Sequence, residues 1–243
     1  MNGFLIKLIA ILCMTIDHIF KLAPELMSFL PAFKIPLPGV ALNFPTVLII
    51  LGRLAFPLFA FEIAEGCTHT KNFPKYLRRL FIFALISELP FDFMFYNGFT
   101  LGRQNVLWTF LFGACAIFMY QKLKAAPPLN FIVVLLIAAV CYFCRTDYHT
   151  IGVILIFALY ISKKPISLIL TFAIISVDYL YNRGLIAAIQ SHNVNQIVSL
   201  SLYFAATLSA IPIMSAYNGK KGPGLKWFFY IYYPLHIIVL GLI

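Results

Sequence analysis

The sequence predicts an all-α integral membrane protein, a polytopic helical bundle with about nine transmembrane helices. Two observations carry this prediction. Of the 243 residues, 62% are hydrophobic and only 11% are charged, whereas about a quarter of the residues in a soluble domain are charged. The apolar residues also fall in runs of roughly 18 residues, the length that crosses a bilayer core of about 30 Å. We expect one transmembrane domain over residues 1–243.

The predicted spans follow one another along the chain with short connections. They are residues 4–23, 43–65, 76–96, 104–121, 129–144, 148–162, 165–182, 194–214 and 226–243. The fifth and sixth are short, so the number of spans lies between about eight and ten. The longest connection, residues 24–42, is rich in proline and is expected at the membrane surface. The first segment is interpreted as a retained span, because no small-residue cleavage site follows it.

Lysine and arginine are divided unequally between alternate loops of this arrangement, and the net charge is +10. The second, fourth, sixth and eighth loops carry eleven, which are Lys71, Lys75, Arg78, Arg79, Lys122, Lys124, Lys163, Lys164, Lys220, Lys221 and Lys226. The other four loops carry five, which are Lys21, Lys34, Arg103, Arg145 and Arg183. Because basic residues accumulate on the cytoplasmic side of membrane proteins, we expect the N-terminus inside the cell and the C-terminus outside. The charge thus indicates topology, and no nucleic-acid partner is expected.

The first span carries an acid and a histidine side by side, Asp17 and His18. An ionisable pair within a span is a candidate functional site, because burying a charge is costly unless it is paired. Adjacent helical residues point about 100° apart, so Asp17 need not contact His18. Asp17 can instead pair with another span, for example through Arg53 or Tyr233. Arg53 lies midway along the second span and needs an acid partner or a bound anion.

The third predicted span ends in a second group of acids. Glu88 and Asp92 are four residues apart and share a helix face. Pro90 lies between them and is expected to kink the helix. A structural pairing of these acids with Arg53 or Arg103 is as plausible as a chemical role.

Two inner loops, residues 66–79 and 217–224, are short, basic and polar. Glycine permits turns whose backbone N–H groups converge on an anion, and basic side chains add charge. The candidate phosphate ligands are His69, Lys71, Lys75, Arg78, Arg79, Asn218, Gly219, Lys220 and Lys221. Neither loop contains a Walker or dinucleotide motif. The alternative is an electrostatic anchor to anionic lipid.

The same residues lie in short motifs that together resemble the TraX family of bacterial inner-membrane proteins. The motifs occupy residues 8–18, 52–61, 65–70, 76–80, 87–92, 105–107, 147–153, 217–222 and 229–236. The most specific are Gly-Arg-Leu-Ala-Phe-Pro at residues 52–57 and Tyr-Pro-Leu-His at residues 233–236.

The resemblance implies a multi-pass inner-membrane acetyltransferase, since the namesake of the family N-acetylates the conjugative pilin. Acetyl-CoA would be the donor, and the acceptor would be a pilin-like protein, another membrane peptide, a surface glycan or a lipid-linked sugar. Related transmembrane acyltransferases have an essential histidine at the end of their first helix, and His18 occupies that position.

On this hypothesis His18 takes the proton of the acceptor, and Asp17 stabilises the imidazolium. Arg53 or Tyr148 binds the oxyanion of the thioester, and Asp147 is a further catalytic candidate that can orient His18. In a second possible mechanism, the acetyl group is transferred first to His18 and then to the acceptor.

Four further residues are expected to contact substrate or to support the fold, which are Glu65, Glu88, Tyr233 and His236. Glu88 is also a candidate to orient His18. The Cys141 and Cys144 pair is interpreted as packing, and no metal is expected.

Two other classes of function remain open. Intramembrane acids and histidines also build proton relays, so a proton-coupled transporter is the main alternative. A non-catalytic assembly factor is the third class. Binding of acetyl-CoA distinguishes the enzyme from both.

Overall fold

The computed structural model describes residues 1–23, 25–26, 34–37, 40–162 and 164–243, and the fold is mostly helical. The helices are α1 (Gly3–Leu22), α2 (Phe44–Gly52), α3 (Ala55–His69), α4 (Phe73–Tyr96), α5 (Val106–Lys122), α6 (Leu129–Phe143), α7 (His149–Ile161), α8 (Ile166–Val177), a π-helix (Asp178–Asn182), α9 (Leu185–Gln190), α10 (Val194–Leu208), α11 (Ala210–Ser215) and α12 (Lys226–Gly241). The helical class expected from the sequence is therefore confirmed.

One short antiparallel hairpin is an addition to that expectation. Strand β1 (Lys34–Leu37) pairs with β2 (Val40–Asn43). The hairpin falls in the proline-rich connection at residues 24–42, parts of which lie outside the described residues.

Contacts divide the chain into two compact units. The first contains Met1–Phe59 and Leu168–Pro223, together with Ile243, and the second contains Ala60–Ser167 and Gly224–Leu242. The prediction of a single domain stays a prediction.

Asparagine begins five of these helices. Its side-chain oxygen accepts the N–H of a residue in the first turn, which satisfies one of the donors left open at a helix start. The caps are Asn2 of α1, Asn43 of α2, Asn72 of α4, Asn105 of α5 and Asn193 of α10. The bounds of the helices thus follow from local sequence as well as from hydropathy.

Helix α4 has a polar buried face and an apolar exposed face, as membrane helices often do. Its buried face carries Ser87, Glu88 and Asp92. Its exposed face is apolar and carries Phe81, Ile82, Leu85, Ile86, Leu89 and Phe93. An exposed aliphatic and aromatic face of this extent is favourable against lipid and unfavourable against water.

By length and composition, two helical stretches of the described chain can cross a membrane, Thr46–His69 and Val194–Ser215. Five further apolar helices are shorter, which are Val106–Lys122, Leu129–Phe143, His149–Ile161, Ile166–Asn182 and Trp227–Gly241. The number of spans and the inside position of the N-terminus stay predictions.

Candidate functional site

A cluster of charged groups surrounds the carboxylate of Asp17 in the first unit. Arg53 donates from Nη2 to Asp17 Oδ1 over 3.1 Å, and the ammonium group of Lys21 donates to Oδ2. One carboxylate is therefore shared by two cations. The side chains of Asp17 and Arg53 are 12% and 21% exposed, whereas that of Lys21 is 42% exposed. Of the two partners considered for Asp17, the structure supplies Arg53.

Gly52 allows α1 and α2 to approach closely enough for this pairing. A Cβ atom added at Gly52 would lie 2.6 Å from Cβ of Asp17, which is shorter than real Cβ contacts. Helix α2 ends at Gly52 and α3 begins at Ala55, so the predicted second span is interrupted at Arg53. Arg53 is the C-cap residue of α2, where a cation is favoured by the partial negative charge of the helix end.

His18 follows Asp17 on α1 and is half-buried. Because neighbouring side chains on a helix diverge by about 100°, the carboxylate that faces Arg53 and the imidazole occupy different sides of α1. The other two residues proposed to orient His18, Glu88 and Asp147, belong to the second unit, where each has partners of its own. The residue that orients His18 stays a prediction.

Helix α10 contributes an aromatic neighbour of Arg53, Tyr203, that the sequence does not reveal. The guanidinium carbon of Arg53 lies 5.3 Å from the centroid of the Tyr203 ring. Four residues further along α10, Thr207 forms a 2.7 Å hydrogen bond with the buried hydroxyl of Tyr179. The four-residue spacing of Tyr203 and Thr207, which places both on one face of α10, was the available signal.

The first unit contains a second ion pair, between Arg183 and Asp178. Arg183 donates from Nε to Asp178 Oδ2 over 2.7 Å and lies 4.9 Å from the centroid of Tyr179. Asp178 also accepts from Asn182 over 3.1 Å. This arginine thus has the same two kinds of neighbour as Arg53, a carboxylate and a tyrosine ring.

The glycine-rich loop at residues 217–224 lies against the start of α1. The carbonyls of Lys220 and Lys221 accept from the N–H groups of Gly3 and Phe4, over 2.8 and 3.0 Å. The N–H of Lys220 donates to the side chain of Asn218. The N–H of Asn218 in turn donates to the carbonyl of Met1. Two of the backbone donors expected to converge on an anion are therefore occupied, while the side chains of Lys220 and Lys221 are exposed.

A buried polar network occupies α4 and the start of α5 in the second unit. Glu88 accepts from Trp108 Nε1 over 2.6 Å and from the side-chain amide of Asn105. Asp92 accepts from the N–H of Thr100 over 3.1 Å. The partners of these acids are therefore neutral N–H groups. Pairing of Glu88 and Asp92 with Arg53 or Arg103 was the structural alternative, and the structure shows these N–H partners instead.

A surface ion pair joins two loops of the second unit. Arg103 donates to Asp147 Oδ1 over 2.6 Å, and this carboxylate raises the pKa of the Arg103 guanidinium above its ordinary value. The N–H of Gln104 donates to the carbonyl of Arg145 over 3.0 Å. The N–H of Tyr148 donates to Thr109 over 3.4 Å. These contacts fix the positions of Asp147 and Tyr148 in one loop.

The basic segment of the second unit is mostly solvent-exposed. His69, which is bonded to Glu65 over 3.2 Å, Lys71, Lys75 and Arg78 are exposed. Arg79 is half-buried, and its guanidinium carbon lies 5.8 Å from the centroid of the Tyr76 ring. The Nε atom of Arg79 is buried and has no hydrogen-bond partner in the described part of the chain.

Helix α12 buries both of its predicted site residues, Tyr233 and His236. His236 shares a 2.9 Å hydrogen bond between its Nδ1 atom and the carbonyl of Tyr232, and its ring stacks on the ring of Tyr232 at 5.2 Å. This is the pattern of a packed histidine. Within the described ranges, no group of three or more histidine, cysteine or carboxylate residues can hold a metal ion.

Apolar helix faces exposed at the surface, with ion pairs and hydrogen-bonded acids inside, define a helical protein of membrane type. Residues 2–243 match the family described as TraX protein, and the chain belongs to this family. It is similar to the probable fimbrial assembly protein FimC, serogroup H1, of Dichelobacter nodosus, with 26% identity over 98% of this chain and 94% of the relative. No solved structure matches the chain.

Proposed function

We propose that this protein is a multi-pass acetyltransferase of the bacterial inner membrane, which moves an acetyl group from acetyl-CoA to an amine or hydroxyl of an acceptor at the membrane. The observation that carries the proposal is the half-buried His18 next to the ion-paired Asp17 in an apolar helix. Membership of the TraX family and the resemblance described above support the same chemistry.

In the proposed reaction, His18 removes the proton of the acceptor as the acceptor attacks the carbonyl carbon of the thioester. A C–N or C–O bond forms, the C–S bond breaks, and the CoA thiolate leaves and receives a proton from the imidazolium. The negative charge of Asp17 favours the imidazolium, whereas the positive charges of Arg53 and Lys21 on the same carboxylate oppose it. Arg53, which belongs to the same unit as His18, is the candidate for binding the oxyanion, and the role of Tyr148, which belongs to the second unit, stays a prediction.

Two basic surfaces are suited to the phosphates of CoA. One contains the exposed side chains of Lys220 and Lys221. The other contains the exposed side chains of Lys75 and Arg78 and the half-buried side chain of Arg79, whose buried Nε atom has no hydrogen-bond partner among the described residues. Exposed basic groups and an unsatisfied guanidinium donor are the features that favour a bound phosphate.

The acceptor is proposed to be a pilin-like protein, and the name of the FimC relative, a probable fimbrial assembly protein, supports this choice. The same name favours the second candidate function, a non-catalytic assembly factor. The sharing of Asp17 between Arg53 and Lys21 is compatible with that alternative, because a structural ion cluster needs no substrate.

Calorimetric titration of the purified protein with acetyl-CoA separates the two functions. We expect micromolar binding of acetyl-CoA and weaker binding of dephospho-CoA. Binding should also weaken in the variant of whichever basic surface holds the phosphates, which is either Lys220→Ala/Lys221→Ala or Arg79→Met. The double variant Lys122→Ala/Lys124→Ala is the matched control and should bind normally. His18→Ala should bind acetyl-CoA but transfer no labelled acetyl group to the membrane fraction. Absence of binding up to millimolar concentration would reject the enzyme.

The proposed topology has its own test in Cys144, which is exposed and lies next to a loop expected outside. A membrane-impermeant maleimide should label Cys144 in intact cells, and Cys144→Ser should remove the label. Labelling of Cys144 only in permeabilised cells would show that the orientation is the opposite of the predicted one.

A further inference from the structure

Arg53 has a donor that the protein itself does not use. Its Nη2 atom donates to Asp17, but its Nε atom is buried and has no hydrogen-bond partner in the described residues. Leaving a buried donor unsatisfied is unfavourable, and more so when the group is charged. Such a donor is therefore the mark of a site that a ligand completes.

The charge around Arg53 points to the sign of that ligand. The ion pairs shown for the described residues of the cluster join two cations, Arg53 and Lys21, to the carboxylate of Asp17. In an apolar surrounding, a cation beyond the number of carboxylates is stabilised by an anion. The guanidinium carbon of Arg53 lies 5.3 Å from the centroid of the Tyr203 ring, and 21% of the Arg53 side chain is exposed, so a ligand has access to part of this side chain.

Arg183 shows that the fold can satisfy the Nε donor of an arginine. Arg183 also has a carboxylate and a tyrosine ring as neighbours, but its Nε donates to Asp178 over 2.7 Å. The unsatisfied Nε of Arg53 is therefore a property of this site and not of every arginine in the unit.

The break in the predicted second span is an independent observation. Helix α2 ends at Gly52 and α3 begins at Ala55 within the apolar stretch Thr46–His69. The N–H groups of Arg53 and Leu54 donate to the carbonyls of Ile50 and Leu51, each over 3.2 Å, so the chain makes one tighter 3₁₀-type turn here and stays in the helical region. A short 3₁₀ stretch within a helix often marks a functional position or a strained one. Arg53 lies at this break.

We propose that Arg53, together with Lys21, binds a phosphate group in the resting protein. Phosphate is chosen because the guanidinium and the ammonium group both bind it well, and because the bilayer presents phosphodiesters to membrane proteins. This ligand differs from a thioester oxyanion, which exists only during turnover and leaves the Nε donor unsatisfied at rest. The inference rests on the proposed function only in that Arg53 shares the carboxylate of Asp17, which is next to His18; the phosphate belongs to a lipid headgroup or to a soluble phosphate.

The test measures the melting temperature of the protein in nanodiscs of phosphatidylcholine. One arm adds inorganic phosphate, and another replaces part of the phosphatidylcholine by phosphatidylglycerol. We expect the melting temperature of the wild type to rise in at least one arm. A rise with inorganic phosphate identifies a soluble phosphate as the source, and a rise with phosphatidylglycerol alone identifies a lipid headgroup.

Three variants make the result specific. Arg53→Met should abolish the response, and Arg53→Lys, which keeps the charge but has no Nε donor, should weaken the apparent affinity by about tenfold. Arg183→Met, the matched control, should keep the response. A wild type that responds to neither phosphate source, or an Arg53→Lys variant with unchanged affinity, would overturn the proposal. Calorimetric binding of acetyl-CoA by the same samples reports on the proposed function separately.

Discussion

The Asp17→Asn substitution tests the energetic role of the ion cluster. The substituted side chain has nearly the same shape but no charge, so Arg53 loses its anion while packing is retained. At the 3.1 Å separation of Arg53 Nη2 and Asp17 Oδ1, and with an effective dielectric constant of about 20, the direct attraction is roughly 5 kcal/mol. Desolvation offsets part of this, and both side chains are partly exposed, so we expect a loss of about 2–3 kcal/mol in the free energy of unfolding.

Reversible unfolding in mixed micelles, followed by circular dichroism, gives the measurement. Asp178→Asn is the matched control, because it removes an acid that pairs with one cation at 2.7 Å instead of two, and its loss should be smaller. Adding Arg53→Met to Asp17→Asn should restore stability, since it removes the unpaired charge. If Asp17→Asn loses less than about 0.5 kcal/mol, or if the double variant is the less stable, the account of a buried charge cluster is incorrect.

Three further substitutions address the second unit. Glu88→Gln places an amide where two N–H donors, of Trp108 and Asn105, converge on one oxygen. We expect the free energy of unfolding to fall by about 1–3 kcal/mol and the tryptophan emission to shift. An unchanged emission spectrum would contradict the network. Gly66→Ala adds a Cβ atom 2.8 Å from the Tyr76 hydroxyl, so a thermal melt should show a loss of about 1–2 kcal/mol, whereas wild-type stability would mean that the helices separate freely. Arg103→Ala breaks an exposed pair with Asp147 and should cost less than about 1 kcal/mol; a larger loss that persists in high salt would show that the pair is not a solvated one.

Hydropathy predicts the helices well because each helix has to bury or expose apolar groups along most of its length. Helices α4, α5 and α6 each begin within about three residues of the predicted spans. The interruption at Gly52 and Arg53 was not predicted. A hydropathy window averages over both residues and therefore does not report a break in the hydrogen-bond ladder.

The sequence identified the residues of the ion cluster but did not fix how they are connected. Asp17 and Arg53 are prominent because each is a charge within an apolar run. Tyr203 was not found, since a tyrosine in an apolar helix is ordinary until its neighbours are known. The loop at residues 217–224 illustrates the same limit. Its glycines indicated turns, but only the fold shows that carbonyl groups of Lys220 and Lys221 point at the start of α1.

The two candidate functions make different demands on α1. An assembly factor needs the ion cluster to hold α1 and α2 together, but it has no use for a proton acceptor at position 18. An acetyltransferase needs both, because the electrostatic effect of Asp17 matters only if His18 becomes charged during the reaction. Loss of function in His18→Ala at unchanged stability therefore indicates chemistry, whereas a loss that appears only when Asp17 or Arg53 is replaced indicates a structural role for the cluster.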